Sequence, residues 1–230
     1  MQMNLESNNP KRTAAEKAVE YIQDGMTVGL GTGSTAYWAI QQIGKRVLSG
    51  LQIKAVATSV QSENLAKELG IPLIPFSEVE EIDVTIDGAD EVDGAWNLVK
   101  GGGGALLREK IIASSSKQLI IVVDESKVVD QLGKFHLPVE VVKFAYELTR
   151  NKLSALGCEP KMRMIDQQPF TTDNGNYILD CDFKQIKRPS ECHDAINRIP
   201  GVVDNGLFIK MAARVIVGYQ DGSVEELKLV

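Results

Sequence analysis

Thr27-Val28-Gly29-Leu30-Gly31-Thr32-Gly33-Ser34-Thr35 passes from a short apolar strand, through a glycine and hydroxyl turn, into the start of a helix. A helix over Thr13–Gln23, stopped at Gly25, precedes it, and a helix over about Thr35–Leu48 follows. Outward from there the same alternation continues: a strand at Ile53–Ala57, a helix at Gln61–Leu69 ended by Gly70, and a strand at Ile82–Ile86 that runs into Asp87. Four glycines, Gly101–Gly104, then precede a helix over Ala105–Ser115, and Leu119–Val123 reads as a buried strand. Strands separated by helices in this rhythm predict an α/β fold, with a Rossmann-like, mostly parallel sheet flanked by helices on both faces.

The pattern changes near Pro138. A strand at Val139–Val142, a helix at Ala145–Leu156, a short strand at Met162–Ile165 and a hairpin of Phe170–Thr172 with Tyr177–Asp182 about Asn174-Gly175 come in turn. A helix at Ser190–Arg198 and a strand beginning at Val202-Val203 complete a β-α-β-β-α-β order, which predicts a smaller ferredoxin-like α+β insert. The tail, Arg214–Tyr219 and Ser223–Leu229 around Asp221-Gly222, reads as a hairpin returning to the first domain as edge strands. The expected division is 1–135 with 207–230 for the Rossmann-like domain and 136–206 for the insert.

Composition sets the outer bounds. The 230 residues are 43% hydrophobic and 24% charged, as in an ordinary globular protein. A net charge of −6 argues against general nucleic-acid binding, while leaving room for a locally positive anion site. Three cysteines, Cys158, Cys181 and Cys192, have neither disulfide-framework nor zinc spacing. The two histidines, His136 and His193, lack a partner at ligand spacing and read as structural or surface residues. Residues 1–10 are polar, without the apolar core of a signal peptide, and no run approaches the roughly 20 apolar residues of a membrane span. The expectation is a cytoplasmic protein with reduced thiols, no membrane partner, and acid–base chemistry carried by carboxylates and lysines.

Four segments carry that chemistry. In Gly29–Thr35 the glycines let backbone N–H groups approach an anion, the helix N-terminus adds a positive dipole end, and Thr32, Ser34 and Thr35 offer hydroxyls. The glycine spacing departs from G-x-G-x-x-G and the lysine of a P-loop is absent; a simple capped βα turn is the alternative. Asp87-Gly88-Ala89-Asp90-Glu91-Val92-Asp93 follows a strand, so Asp87 falls at the carboxyl edge of the sheet, where open α/β sheets bind ligands. A solvated Asp-Gly turn or a Mg²⁺ or Ca²⁺ site would use the same letters.

Lys100-Gly101-Gly102-Gly103-Gly104 is costly to order and is best explained by close approach of backbone to ligand. In the helix that follows, about 100° per residue puts Glu109 between Ala105 and Ile112 on one side and Leu106 and Ala113 on the other. A carboxylate on such an arc loses solvation, which raises its pKa toward that of a general base working near neutrality. Leu107 and Ile111 extend the apolar surface, as for a buried central helix. Lys127, in Asp124-Glu125-Ser126-Lys127, lies at the same sheet edge; by itself it reads as a surface lysine.

As an ordered set these segments resemble the type A ribose-5-phosphate isomerase family. Gly-Thr-Gly-Ser-Thr, Asp-Gly-Ala-Asp-Glu, Lys-Gly-Gly-Gly and Arg-Glu-Lys carry the resemblance. It continues through Leu132–Phe135, Pro138–Val141, Thr172–Asn176 and Ile199–Val203, and covers almost the whole chain from Lys11. Gly104–Leu107 departs slightly, since relatives often carry Ala and Thr there.

The resemblance implies a sugar-phosphate substrate, no cofactor, no metal, and a homodimer or homotetramer. It implies that Glu109 is the catalytic base, with Asp87, Asp90 and Lys100 as polar catalytic residues. Thr32, Gly33, Ser34, Thr35, Gly88, Ala89, Gly101, Gly102 and Gly103 would contact substrate together with Asp87, Asp90 and Lys100, and Lys11 and Lys127 would lie near its phosphate. Two rivals use the same fold. A coenzyme A transferase would need a nucleotide site, for which the chain is short. A sugar-phosphate sensor would need an N-terminal helix-turn-helix, and only about one helix fits before Thr27.

Overall fold

The computed structural model describes residues 9–227, so the start of the polar N-terminal segment and the last residues expected in the tail strand lie outside the described residues. The elements follow as α1 (Pro10–Val19), β1 (Thr27–Leu30), α2 (Ser34–Leu48), β2 (Lys54–Ala57), α3 (Val60–Glu68), β3 (Ile82–Gly88), β4 (Glu91–Val92), β5 (Leu98–Val99), α4 (Leu106–Ser114) and β6 (Ser116–Asp124). Then come β7 (Leu137–Val141), α5 (Tyr146–Ser154), β8 (Glu159–Met162), β9 (Met164–Ile165), β10 (Gln168–Pro169), β11 (Tyr177–Asp182), α6 (Pro189–Asn197), β12 (Val202–Asn205), β13 (Leu207–Phe208), β14 (Arg214–Gly218) and β15 (Val224–Glu226).

Two compact units result. The first holds residues up to 89, 108–128 and from 211 onward; the second holds 90–107 and 129–210. The second is larger than the insert drawn from sequence at 136–206, because β4 and β5 pair with β13 in a small three-stranded sheet. Those strands are two residues each, too short for a periodic signal.

In the first unit six strands form one sheet in the order β15-β14-β6-β3-β1-β2. Every pairing is parallel except β14 with β15. The inner strands β6 and β14 carry the buried apolar runs Leu119–Val123 and Val215–Val217, as expected where helices cover a parallel sheet. Val28, Leu30, Val84, Ile86, Ile120, Val122 and Ile216 meet Ala14, Ala15 and Ala18 of α1 and Ile40 and Ile43 of α2 in one core. Helix α1 begins earlier than expected, because the Asn9 side chain caps the Lys11 N–H at 3.0 Å and Pro10 takes the first turn. The tail expectation needs correcting: β14 lies inside the sheet, parallel to β6, and of the two tail strands β15 alone is at an edge.

The second unit contains an antiparallel sheet in the order β12-β7-β11-β8, with α5 and α6. Numbered within the motif that is 4-1-3-2, the ferredoxin-like arrangement read from sequence. Its core includes Leu137, Val139 and Val141 of β7, Leu179 and Cys181 of β11, Leu153 of α5 and Ile196 of α6. The turn at Asn174-Gly175 forms, with Gly175 N–H on Thr172 O at 2.8 Å and Thr172 N–H on Asn176 O at 2.9 Å. The hairpin expected around it does not: one bridge joins Thr171 to Tyr177, and Gln168–Pro169 pairs with Met164–Ile165 instead. β11 is buried on the sheet interior, and both its edges are taken by β7 and β8. Among the described residues no helix is long and apolar enough to cross a membrane.

Candidate active site

In the first unit the chemistry-bearing residues gather where β1, β3 and β6 end. The parallel register Leu30↔Ile86 puts Gly31 opposite Asp87. Asp87 is fully buried, and its Oδ1 accepts the Thr32 N–H at 3.0 Å and the Gly88 N–H at 2.8 Å. A Cβ at Gly31 would lie 2.3 Å from Asp87 Oδ1 and 2.6 Å from its Cα, so only glycine lets the turn reach the carboxylate. Gly33 is the N-cap of α2 at φ +101°, a backbone state L side chains rarely adopt, and no side chain caps the helix there. The first turn of α2 therefore presents N–H groups that a ligand can accept.

Thr32 and Ser34 divide the work of that turn. The Thr32 hydroxyl is buried among Thr58 Oγ1 at 2.7 Å, Ser59 Oγ at 2.8 Å and Ser62 Oγ at 3.2 Å. Ser62 Oγ in turn donates to Gly31 O at 2.6 Å. This hydroxyl network braces the turn from behind. Ser34 is exposed and its Oγ accepts from Lys11 Nζ at 2.9 Å. Lys11 is carried by α1, so the first helix delivers a cation to the N-terminus of the second. Thr35 is buried. Lys127, half-buried, sits in a short 3-10 turn (Glu125–Lys127) directly after β6, where Asp124 Oδ1 accepts the Ser126 N–H at 3.0 Å.

Glu109 is 4% exposed on α4, within an arc of Ala105, Leu106, Ile112 and Ala113 that are all buried. That matches the angular reading. The expectation that α4 is a buried central helix does not hold: Ile111 is 55% exposed and Leu107 only half-buried. The helix buries one side, and Ile111 lies on the other.

In the second unit Lys100 is 2% exposed, with Nζ 5.3 Å from the Phe208 ring centre and its own N–H on Gly206 O at 2.8 Å. Asp90 is anchored by its N–H on Val99 O at 2.7 Å, and its Oδ2 accepts the Gly102 N–H at 2.8 Å. A Cβ at Gly102 would meet Asp90 Oδ1 at 2.5 Å, which explains a glycine there. Gly101 and Gly104 take positive φ of 98° and 86°, while Gly102 and Gly103 are exposed.

The other carboxylates of the acidic run have internal duties. Glu91 is buried and accepts the Gly133 and Phe135 N–H groups, both at 2.7 Å. Asp93 Oδ1 closes a turn by accepting from Ala95 N and Asn97 N at 2.9 and 2.8 Å. Among the described residues no group of three or more His, Cys, Asp or Glu side chains is arranged to hold a metal ion. His193 shares hydrogen bonds with Asn205, and His136 lies 3.5 Å from Asp182.

Sequence reasoning missed the Ser59–Ser62 brace, although Thr58-Ser59 directly after β2 was a visible signal. It also missed Arg163, whose Nη1 donates to the carbonyls of Gly101 and Gly102, both at 3.0 Å. A contact across some 60 residues leaves no local pattern.

Comparison with known proteins adds a family. The model of ribose 5-phosphate isomerase A (phosphoriboisomerase A) matches residues 54–222. Ribose-5-phosphate isomerase A of Bacillus mycoides is 53% identical over 218 residues, 94% of this chain and 99% of that protein. The Bacillus thuringiensis protein of the same name is 55% identical over the same shares. Among solved structures, ribose 5-phosphate isomerase A from Methanocaldococcus jannaschii gives a TM-score of 0.89 at 41% identity, covering 95% of this chain and 97% of that one. A D-ribose-5-phosphate isomerase in complex with phospho-erythronic acid gives 0.91 at 40% identity, covering 98% and 100%.

Proposed function

Because the chain belongs to the ribose 5-phosphate isomerase A family, we propose that it interconverts D-ribose 5-phosphate and D-ribulose 5-phosphate. This is the aldose–ketose step of the non-oxidative pentose phosphate branch. The sugar ring opens first, with Asp87 assisting the proton movement. Glu109 then removes the C2 proton of the open aldehyde and returns it to C1. One base working on one face implies a cis-enediolate. Lys100 and the glycine amides of 101–103 stabilise the developing oxyanion. Asp90 and the backbone around Gly88 and Ala89 hold sugar hydroxyls.

The phosphate is assigned to the first turn of α2 and the lysines Lys11 and Lys127. The observation that carries this is the Lys11 Nζ to Ser34 Oγ contact of 2.9 Å, beside an uncapped helix N-terminus. A cation and open N–H groups there suit a dianion. Thr32 serves that turn through its hydroxyl network. Binding energy at the phosphate orients the reacting carbons without touching them.

The same reading takes the protein as cytoplasmic, cofactor-independent and a homodimer or homotetramer. The deciding experiment is a coupled assay of aldose-to-ketose conversion with a chelator present. Turnover of ribose 5-phosphate under chelation is expected. No turnover, or turnover that returns only with added Mg²⁺ or Zn²⁺, contradicts the metal-free reaction.

A further inference from the structure

Four consecutive glycines can hold a catalytic geometry only if something outside the loop holds them, because glycine loses the most backbone freedom on ordering. In the second unit that something is a guanidinium. Arg163 follows β8 directly, and its N–H is fixed on Ile178 O of β11 at 2.9 Å. Its side chain is 14% exposed. Nε donates to Asp180 Oδ2 at 2.9 Å and Nη2 to Asp180 Oδ1, a bidentate pair that fixes the plane of the guanidinium. Nη1 remains for the loop, and it donates to Gly101 O and Gly102 O, both at 3.0 Å.

The Gly101–Gly102 peptide is thereby held from both sides. Its carbonyl accepts from Arg163, and its N–H donates to Asp90 Oδ2 at 2.8 Å. In a trans peptide these two groups point in opposite directions. Fixing the carbonyl therefore aims the N–H, and the N–H aims the carboxylate. Phe170 secures the far end of the loop. Its ring lies 5.9 Å from the guanidinium, its N–H bonds Arg163 O at 2.8 Å, and a Cβ at Gly104 would come within 2.4 Å of it.

We propose that Arg163, oriented by Asp180, is a positioning residue for the isomerisation: through the Gly101–Gly102 peptide it sets the orientation of Asp90 and the path of the loop after Lys100. This rests on the functional reading given above. Arg163 touches no substrate atom in this role, so its loss acts through misplaced groups: kcat falls, and KM rises by a smaller factor because Asp90 holds sugar hydroxyls. A misplacement of about 1 Å costs roughly 10²-fold in rate.

The test is a cycle of Arg163→Met, Asp90→Asn and the double variant, with Arg163→Lys alongside. Arg163→Met is expected to lower kcat roughly 10²-fold. Arg163→Lys should fall between, since an ammonium has three donors for the four hydrogen bonds that the guanidinium makes. In the Asp90→Asn background the Arg163→Met loss should shrink several-fold, because the two act in one chain. A structural arginine would instead give losses that multiply, or a lowered melting temperature with kcat intact. Either result overturns the proposal. Should Arg163→Met fail to fold, Asp180→Asn keeps the side-chain volume and enters the same cycle.

Rescue supplies a second readout. Arg163 and Gly102 line a cavity of about 440 Å³ with Lys134, Phe135, His136 and Asp180, so millimolar guanidinium can reach the space left by Arg163→Ala. Recovered kcat supports the proposal and no recovery counts against it. Glu109→Gln in the same assay separates the two levels. An inactive Glu109→Gln beside a fully active Arg163→Met defeats the positioning role alone, whereas an active Glu109→Gln defeats the functional reading.

Discussion

Glu109 is flanked in sequence by Arg108 and Lys110, and a reader of the string alone could take all three for a solvated charge run. Burial separates them: Arg108 and Lys110 are half-buried and Glu109 is 4% exposed. A carboxylate placed among buried apolar side chains needs a reason, and proton abstraction supplies one. Glu109→Gln keeps the shape and removes the base. Turnover should fall about 10²–10⁴-fold, the usual worth of a general base. Ribose 5-phosphate should still bind the variant within a few-fold, as read by calorimetry. Wild-type turnover would remove Glu109 from the mechanism. At the same scale Thr32 shows what a side chain does when its hydroxyl faces inward: it ties the turn to Thr58, Ser59 and Ser62 rather than reaching outward.

The element that matters most is the β1–turn–α2 unit, and two contacts with β3 set it. At the carboxyl end Gly31 lies against Asp87. Gly31→Ala forces a Cβ to 2.3 Å from Asp87 Oδ1, and backbone contact at 2.6 Å blocks relief by a side-chain rotation alone. The variant should lose about 1–3 kcal/mol of stability, the range for overpacking, and most of its turnover, since Asp87 must move. A chemical denaturation curve and the coupled assay check both, and an unperturbed, active Gly31→Ala would contradict the tight approach.

At the amino end Asp83 Oδ2 accepts the Thr27 N–H at 2.9 Å, and Oδ1 takes Lys117 Nζ at 3.0 Å. The Thr27 hydrogen bond first, then Lys117, hold the Asp83 carboxyl below its ordinary value of 3.8. A depressed folded-state pKa means stability that is fully present above the unfolded value and lost as pH falls through the folded one. Asp83→Asn should therefore cost about 1 kcal/mol at neutral pH, and the gap to wild type should close below about pH 4. A gap that stays constant down to pH 3 would show that Asp83 acts by shape and not by charge.

For the molecule as a whole, recognition of the substrate's phosphate has the widest reach. Each charge-assisted hydrogen bond is worth about 1.5–3 kcal/mol, so several at one dianion matter greatly. Free ribose lacks that dianion and should be a very poor substrate, with kcat lowered as well as KM raised, because remote binding energy also orients the reacting carbons. Ser34→Ala and Lys127→Ala should each reduce kcat/KM for ribose 5-phosphate and leave the small value for ribose nearly unchanged. Inorganic phosphate should compete weakly. Equal kcat/KM for the two sugars would end the assignment.

The sequence by itself determined the alternation of strand and helix, the ferredoxin-like order of the insert and the residues at the sheet's carboxyl edge. These follow from short-range rules: period, glycine turns, and the fact that a residue ending a parallel strand must lie at that edge. The angular position of Glu109 on its helix was legible for the same reason. Only the tertiary structure decided which way hydroxyls and loop carbonyls face. It turned Thr32 inward, brought Lys11 to Ser34 and set Arg163 against Gly101 and Gly102. It also placed β14 inside the sheet and gave β11 the neighbours β7 and β8 in place of its own hairpin. Those choices depend on which distant backbone edges and polar groups must be satisfied once the core closes, and no local pattern records them.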